Sequence, residues 1–216
     1  MGIIAWDTPS LETFCALGHT IHMKYDVILS GVGGQGVLSV ASIIAQAAVS
    51  EGLQVRQSEV HGMAQRGGAV LSHLRLASEK IAGDLVPQGA ADLIISMEPL
   101  ESLRYLAWLK KDGALVTSAD PFNNIPNYPK IEDITSSIQK LPSYRLVQAS
   151  ALAKEAGLAK AVNIVMVGAA SCFLPIKTET LEDTIKEAFA KKDASVSEAN
   201  AKAYKLGQDA AKQEAK

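Results

Sequence analysis

Short apolar runs alternate along the chain with longer segments of helical composition. The first run, Val27-Ile28-Leu29, is followed by a glycine-rich turn and then by residues 37–50, which are rich in Ala, Ile and Val. Continuous apolar runs are typical of strands buried on both faces, whereas segments of this length and composition suit helices packed on a sheet. The pattern therefore predicts a Rossmann-like start, in which a strand leads through a glycine loop into a helix.

The same alternation continues through the rest of the chain. Further strands are predicted near residues 53–55, 69–76, 93–96, 114–117 and 144–148. Further helices are predicted at 99–111, 131–140, 149–156, 163–174, 181–191 and from 195 onward. Residues 57–68 and 120–129 follow neither period and are predicted as loops. Strands that alternate with helices predict the α/β class, with a single domain and a mostly parallel sheet flanked by helices.

The two ends of the chain differ from this domain. Residues 1–22 show no clear period, and Met23 then leads directly into the first strand. Two interpretations are open: Met23 is the native start and 1–22 are a misassigned or added leader, or 1–22 form a loosely packed N-terminal arm. The α/β domain is expected to span 23–207. The Ala/Lys-rich residues 208–216 are expected to form a frayed tail.

Composition narrows the classes of function. A formal net charge of -2 gives no support for binding nucleic acid, which usually needs a concentrated basic face, and an aromatic content of 5% leaves few groups for base stacking. The longest apolar stretch, 161–174, is too short to span a bilayer. Cys15 and Cys172 are too few for a four-thiolate iron–sulfur cluster, and they form no CxxC pair. We therefore expect a cytoplasmic chain with no disulfide framework and no metal site.

A glycine motif lies between the first predicted strand and helix. Gly31, Gly33 and Gly36 satisfy GxGxxG, and glycines at these points let the backbone approach a phosphate at a helix N-terminus. Glu59, 23 residues after Gly36, has the position of a ribose-binding acid in a dinucleotide site. A tight turn without any ligand is the other interpretation. The candidate cofactor-binding residues are Gly31, Gly33, Gly34, Gln35, Gly36, Gly67 and Gly68.

The second loop combines Glu, His, Gln and Arg with three glycines in residues 58–68. Arg66 is suited to hold a carboxylate or phosphate, and His61 to donate a hydrogen bond or carry a proton near neutral pH. These two are the candidate catalytic residues. A structural role for His61, and an ion pair at a subunit interface for Arg66, are the alternatives.

Both loops together resemble a known family. Residues 31–37, Gly-Val-Gly-Gly-Gln-Gly-Val, and residues 58–68, Ser-Glu-Val-His-Gly-Met-Ala-Gln-Arg-Gly-Gly, are similar to the beta subunit of indolepyruvate ferredoxin oxidoreductase. More broadly, they resemble the gamma subunits or domains of 2-oxoacid:ferredoxin oxidoreductases. The resemblance covers about residues 23–207 and includes Glu98-Pro99-Leu100-Glu101, Asn163 and residues 200–207.

This resemblance implies a subunit that is inactive alone. Enzymes of the family convert a 2-oxoacid and coenzyme A to acyl-CoA and CO2 and pass electrons to ferredoxin. A large catalytic partner is expected to carry thiamine diphosphate and the iron–sulfur clusters, so this chain holds no tightly bound cofactor. It is expected to wall the active site and help receive coenzyme A, with an aryl pyruvate as substrate. A free-standing NAD(P)-binding oxidoreductase and a non-catalytic binding module are the alternatives.

Overall fold

The computed structural model describes residues 22–61, 67–123 and 125–213, which build a six-stranded sheet with helices on both faces. The strands are β1 (Lys24–Val32), β2 (Gln54–His61), β3 (Ala69–Ala77), β4 (Ala91–Ser96), β5 (Leu109–Ser118) and β6 (Tyr144–Val147). The helices are α1 (Val37–Ser50), α2 (Pro99–Arg104), α3 (Ile131–Ile138), α4 (Ala149–Glu155), α5 (Val162–Ala170), α6 (Thr178–Phe189) and α7 (Ala194–Gln213). The predicted α/β class is confirmed.

The sheet is mostly parallel, with one strand inserted in the opposite direction. The strand order is β2-β3-β1-β4-β5-β6. The pairs β1–β4, β4–β5 and β5–β6 are parallel, whereas β3 runs antiparallel to both β1 and β2. β1 therefore lies at the centre, between a parallel neighbour and an antiparallel one.

Two apolar layers cover the two faces of the sheet. Val27 and Leu29 of β1 face one layer, which includes residues of α1, α5 and α7. Ile28, the residue between them, faces the other layer. All three side chains are at most 1% exposed, as expected for a strand buried on both faces. The continuous apolar run predicted this placement.

Three element boundaries differ from the predictions. The helix predicted over 99–111 ends at Arg104, and β5 begins at Leu109, where the main chain pairs with Ala91. The loop prediction is wrong for residues 57–61, which belong to β2. This strand lies at the edge of the sheet, so its polar side chains need no apolar alternation.

The third difference is at the C-terminal end. The tail predicted to fray from residue 208 is helical to Gln213, and Ala211 is fully buried in the first apolar layer. The burial of one small residue gives this end of the helix a packing partner. The predicted arm 1–22 lies outside the described residues except for His22.

Glycines let α5 and α7 cross closely. A Cβ on Gly168 would overlap the backbone of Tyr204, and a Cβ on Gly207 would overlap the backbone of Val165. The two helices therefore touch through their main chains, which is possible only where neither residue has a side chain.

Candidate functional site

The two glycine-rich segments meet at the end of β1. The N–H of Gly33 donates to the carbonyl oxygen of Gly68 at 2.9 Å, and the N–H of Gly67 donates to the carbonyl oxygen of Gly33 at 3.4 Å. The contact follows from the topology, since the antiparallel pairing of β1 and β3 aligns the end of β1 with the start of β3. The two motifs that were far apart in sequence are therefore neighbours.

A left-handed backbone shapes the first of these segments, residues 33–36. Gly34 has φ 101° and Gly36, which precedes α1, has φ 82°, values that side-chain-bearing residues rarely adopt. The side-chain oxygen Oε1 of Gln35 accepts a hydrogen bond from the N–H of Val32 at 2.7 Å. Gln35 therefore braces the turn from within and its amide oxygen is already engaged.

The glycines of the motif serve different purposes. A Cβ on Gly31 would lie 2.9 Å from both Gln35 Oε1 and Val37 Cγ2, so Gly31 is needed for packing. Gly36 lies against Asn163 of α5. A Cβ on Gly34, by contrast, would meet no described atom within 4 Å, which leaves the backbone at Gly34 open to a ligand.

Gly34 opens into a cleft at the carboxyl edge of the parallel strands. The cleft has a volume of about 460 Å³. Its lining comes from the residues that follow β1 and β4, the end of β5, and the starts of α4 and α5: Gly34, Gln35, Met97, Ser118, Asp120, Ser150, Ala159, Lys160 and Val162. Ligands of α/β proteins bind at this edge, where the chain leaves neighbouring strands in opposite directions.

Among the described residues, the charged groups that line the cleft are the amine of Lys160 and the carboxylate of Asp120. Lys160 is exposed there, and no carboxylate within the described ranges forms an ion pair with it. Asp120 is engaged within the protein, because its Oδ2 accepts from the Ser150 N–H at 2.8 Å and from the Ser118 hydroxyl at 3.1 Å. The N-termini of α1 and α5 add partial positive charge. The arrangement suits an anion such as a phosphate.

The buried carboxylate of Glu98 holds the loop that follows Asp120. Glu98 is 1% exposed, and its oxygens accept from the backbone N–H groups of Glu101 and Phe122 and from the Tyr128 hydroxyl. Burial and the negative charge of Glu98 raise the pKa of Tyr128, so the phenol stays protonated and keeps donating. Glu98 thereby fixes the loop between β5 and α3.

The structure places one of the two predicted catalytic residues, at the end of β2. His61 ends β2 and its main chain pairs with Val70, while Arg66 lies outside the described residues. The hydrogen bonds of Gly67 and Gly68 nevertheless attach the end of this segment to Gly33.

The strand order argues against a dinucleotide site in which Glu59 binds the ribose. In a Rossmann site the acidic residue follows a strand that lies directly beside β1. Here β3 separates β2 from β1, so Glu59 is two strand spacings away, roughly 10 Å. Glu59 is also engaged by the Gln57 side-chain amide at 2.7 Å. The geometry disfavours a ribose-binding role for Glu59.

Sequence reasoning missed Lys160, Asp120 and Ser150. They come from loops and helix starts far from the glycine motif, and only the strand order brings them to it. Gly157 follows α4 in a left-handed conformation and marks the turn there. The sequence signal for Lys160 was a lysine in the short connection between this turn and an apolar helix.

Neither clustered metal ligands nor a membrane-spanning helix occurs in the described part of the chain. Within residues 22–61, 67–123 and 125–213, no group of three or more His, Cys, Asp or Glu side chains is placed to hold a metal ion. In the same ranges no helix combines the length and apolar character that crossing a membrane requires.

Comparison with known proteins places the sequence among oxidoreductase subunits. The family described as pyruvate ferredoxin/flavodoxin oxidoreductase matches residues 26–210. The indolepyruvate oxidoreductase subunit IorB of Thermococcus kodakarensis is 36% identical over 200 residues, which cover 88% of this chain and 97% of that protein. The common gamma subunit of the pyruvate/ketoisovalerate oxidoreductases of Pyrococcus abyssi is 28% identical over 182 residues, covering 82% and 92%.

Solved structures have the same fold. The gamma subunit of a keto/oxoacid ferredoxin oxidoreductase from Geobacter sulfurreducens superposes with a TM-score of 0.64 at 26% identity, over 88% of this chain and 99% of that one. A 2-oxoglutarate:ferredoxin oxidoreductase from Magnetococcus marinus, solved with 2-oxoglutarate, coenzyme A and succinyl-CoA, gives a TM-score of 0.71 at 23% identity. The match covers 88% of this chain but 31% of that longer chain.

Proposed function

The chain belongs to the pyruvate ferredoxin/flavodoxin oxidoreductase family, and from that premise we propose that it walls the active site of an indolepyruvate-type enzyme and receives coenzyme A there. Its homologues are subunits of 2-oxoacid:ferredoxin oxidoreductases, so the chain is the small subunit of such an enzyme. The activity belongs to the complex that it forms with a catalytic partner.

The observation that carries the coenzyme A role is the cleft between Gly34 and Lys160. An open glycine backbone admits a phosphate closely, and a lysine without an ion-pair partner among the described residues supplies the countercharge. Coenzyme A carries phosphates at the middle of a long molecule, so anchoring them here leaves the thiol end free to reach the partner.

The choice of substrate rests on the relatives. Those named for indolepyruvate are 34–36% identical to this chain, against 28% for the pyruvate/ketoisovalerate subunit and 27% for a 2-oxoglutarate synthase subunit. An aryl pyruvate is therefore the proposed substrate class. The sequence Met-Ala-Gln-Arg at 63–66 favours the same substrate class, because it resembles the indolepyruvate-type subunits.

The proposed reaction converts a 2-oxoacid and coenzyme A to acyl-CoA and CO2 and delivers two electrons to ferredoxin. Thiamine diphosphate would supply the decarboxylation chemistry and iron–sulfur clusters the electron path, both in the large partner. The residues of this chain bind and orient the thiol substrate. Arg66 and His61 are candidates for the same site, because Gly67 and Gly68 attach the end of their segment to Gly33.

Lys160→Ala tests this function. If Lys160 contacts a phosphate, the variant complex should show a KM for coenzyme A raised roughly tenfold, the loss of one charge-assisted hydrogen bond, with kcat little changed. The measurement is steady-state dye reduction by the assembled complex with indolepyruvate and varied coenzyme A.

Lys154→Ala is the matched control, because Lys154 is an exposed lysine of α4 that does not line the cleft. It should leave the KM unchanged. Equal KM values in wild type and in Lys160→Ala would remove the cleft from the coenzyme A site.

A further inference from the structure

The loop between β5 and α3, residues 119–130, carries two exposed apolar side chains beside the cleft. The chain enters this loop from Ser118 and Asp120, which both line the cleft. Phe122 is 44% exposed and Ile125 is 41% exposed. Two large apolar side chains this close together form a surface that association with another protein would remove from water.

The central part of the loop carries no charge. Residues 121–129 contain no Asp, Glu, Lys, Arg or His, although charged residues make up 20% of the chain. Exposed aromatic and aliphatic groups without charged neighbours are typical of the centre of a protein interface. The surface of α6 has the opposite character, since Lys186 forms ion pairs there with Glu182 and Asp183 at 3.2 Å. The loop is therefore suited to contact a protein, whereas α6 is suited to face solvent.

Prolines restrict the backbone next to both apolar side chains. Pro121 precedes Phe122, and Pro126 follows Ile125. Proline fixes its own φ and also limits the conformation of the residue before it. Each apolar side chain therefore projects from a backbone with little freedom.

The buried carboxylate of Glu98 holds the same loop from within the protein. Its Oε1 accepts from the backbone N–H of Phe122 at 3.2 Å and from the Tyr128 hydroxyl. Phe122 is thus held through its main chain while its side chain stays exposed. A binding group that is already in position loses less conformational entropy when a partner docks.

The position of the loop indicates which partner it contacts. The loop and the cleft share Asp120, and the hydrogen bond from the Ser150 N–H to its Oδ2 at 2.8 Å fixes this junction. In the proposed function the thiol end of coenzyme A passes from the cleft to the active site of the catalytic partner. The partner must then lie against the rim of the cleft, to which the loop belongs.

We infer that the loop between β5 and α3 docks the catalytic partner, with Phe122 and Ile125 inserted into an apolar pocket of that protein. The inference rests on the proposed function, since it places the partner at the mouth of the cleft. It assigns assembly to the loop and co-substrate binding to the cleft, so that the two can be measured separately.

Competition for a limiting amount of the catalytic partner tests the inference. Wild-type chain and Phe122→Asp chain are co-expressed with the partner, and the complex is purified through the partner. Intact-mass spectrometry gives the share of each chain in the complex, relative to its soluble amount in the lysate. Wild-type chain should exceed Phe122→Asp at least about tenfold, because docking would bury an unpaired charge. Ile125→Asp should lose the competition in the same way.

Two variants control for effects other than docking. Phe122→Leu keeps an apolar side chain and should regain most of the wild-type share. Val49→Asp places the same charge at a 59% exposed position near the end of α1, the end away from the glycine loop, and should compete equally with wild type. Equal shares for both Phe122→Asp and Ile125→Asp overturn the inference, and so does an equal loss for Val49→Asp.

A second copy of this chain is the other occupant that the test detects. Sedimentation velocity of the wild-type chain alone should show a monomer. A dimer that Phe122→Asp dissociates, together with equal shares in the competition, would assign the loop to self-association and overturn the inference.

The KM of coenzyme A separates this inference from the proposed function. Complexes that do assemble with Phe122→Asp should keep that KM within about twofold of wild type, because the loop acts in assembly. A raised KM with an equal share would place the loop in the co-substrate site and overturn the inference. Lys160→Ala should show the converse, a raised KM with an equal share. An unchanged KM in Lys160→Ala overturns the proposed function, whatever the loop variants do.

Discussion

His73 is a buried imidazole that holds the segment between β3 and β4. It is 4% exposed, its Nδ1 accepts from the backbone N–H of Val86 at 3.2 Å, and its ring meets the edge of Trp108. Burial, followed by the positive charge of Arg75, lowers its pKa below the usual value. The neutral ring is the form that can accept from Val86.

His73 should make the folded protein less stable at acidic pH. Because the folded pKa lies below that of the unfolded chain, the unfolded state takes the proton first as pH falls through about 6.5. The free energy of unfolding should therefore decrease from that pH downward and be insensitive to His73 above it. Urea denaturation at pH 7.5 and pH 5.5 should show a smaller difference in His73→Gln than in wild type.

His22→Gln is the control for this pH effect. The His22 side chain is 72% exposed and pairs with Glu79 at 3.0 Å on the surface. The variant should keep the pH dependence of the wild type. An undiminished acid response in His73→Gln would assign it to other groups.

Arg66 is the residue on which the second loop's proposed role depends. If Arg66 meets an anionic substrate or coenzyme, Arg66→Ala should lower the activity of the complex at least roughly tenfold, on the order of 1.4 kcal/mol in the barrier. The subunits should still co-purify. Arg56→Ala removes an exposed arginine of β2 and serves as the control. Loss of assembly in Arg66→Ala alone would instead make Arg66 an interface residue.

At the scale of elements, the crossing of α5 and α7 depends on two glycines. Gly207 and Gly168 each face the backbone of the opposite helix, with Ala203 and Tyr204 buried beside them. In an exposed helix a change from glycine to alanine is stabilising by about 1 kcal/mol. Here the added methyl has no space unless the helices separate.

Gly207→Ala should therefore destabilise the protein by about 3 kcal/mol or more, the upper range for overpacking a tight core. The measurement is the free energy of unfolding from urea denaturation. Asp209→Ala, on the exposed side of the same helix, should stay within about 0.5 kcal/mol of wild type. A stable Gly207→Ala protein would mean that α5 and α7 can move apart.

At the scale of the whole molecule, the chain should need its partner for activity. The purified chain should not oxidise indolepyruvate with coenzyme A and dye, because its two cysteines cannot hold a four-thiolate cluster. Adding the separately purified catalytic partner under anaerobic conditions should produce the activity. Oxidation by the chain alone with NAD(P)+ would favour the dehydrogenase interpretation instead.

The sequence predicted the fold better than the site. Buried strands such as Val27-Ile28-Leu29 and the helix over 37–50 carry their structure in local apolar patterns. The reversed direction of β3 carries no local signal, because an antiparallel and a parallel strand of the same composition look alike.

Only part of the candidate site could be predicted, because the order of the strands also has no local signal in the sequence. The glycine motif predicts a turn wherever it occurs. In the structure this turn lies next to Gly67 and Gly68. Lys160 and Asp120 reach the cleft through the order of the strands, which no short pattern encodes. Nor does the motif distinguish Gly31, needed for packing, from Gly34, which faces open space.

The two hydrogen bonds between Gly33 and residues 67–68 have an evolutionary consequence. An insertion or deletion in either segment would shift one set of donors and acceptors past the other. A change of length on one side must then be matched by a change on the other. Among relatives, the lengths of the two segments that end at residues 33–36 and 67–68 are therefore expected to vary together.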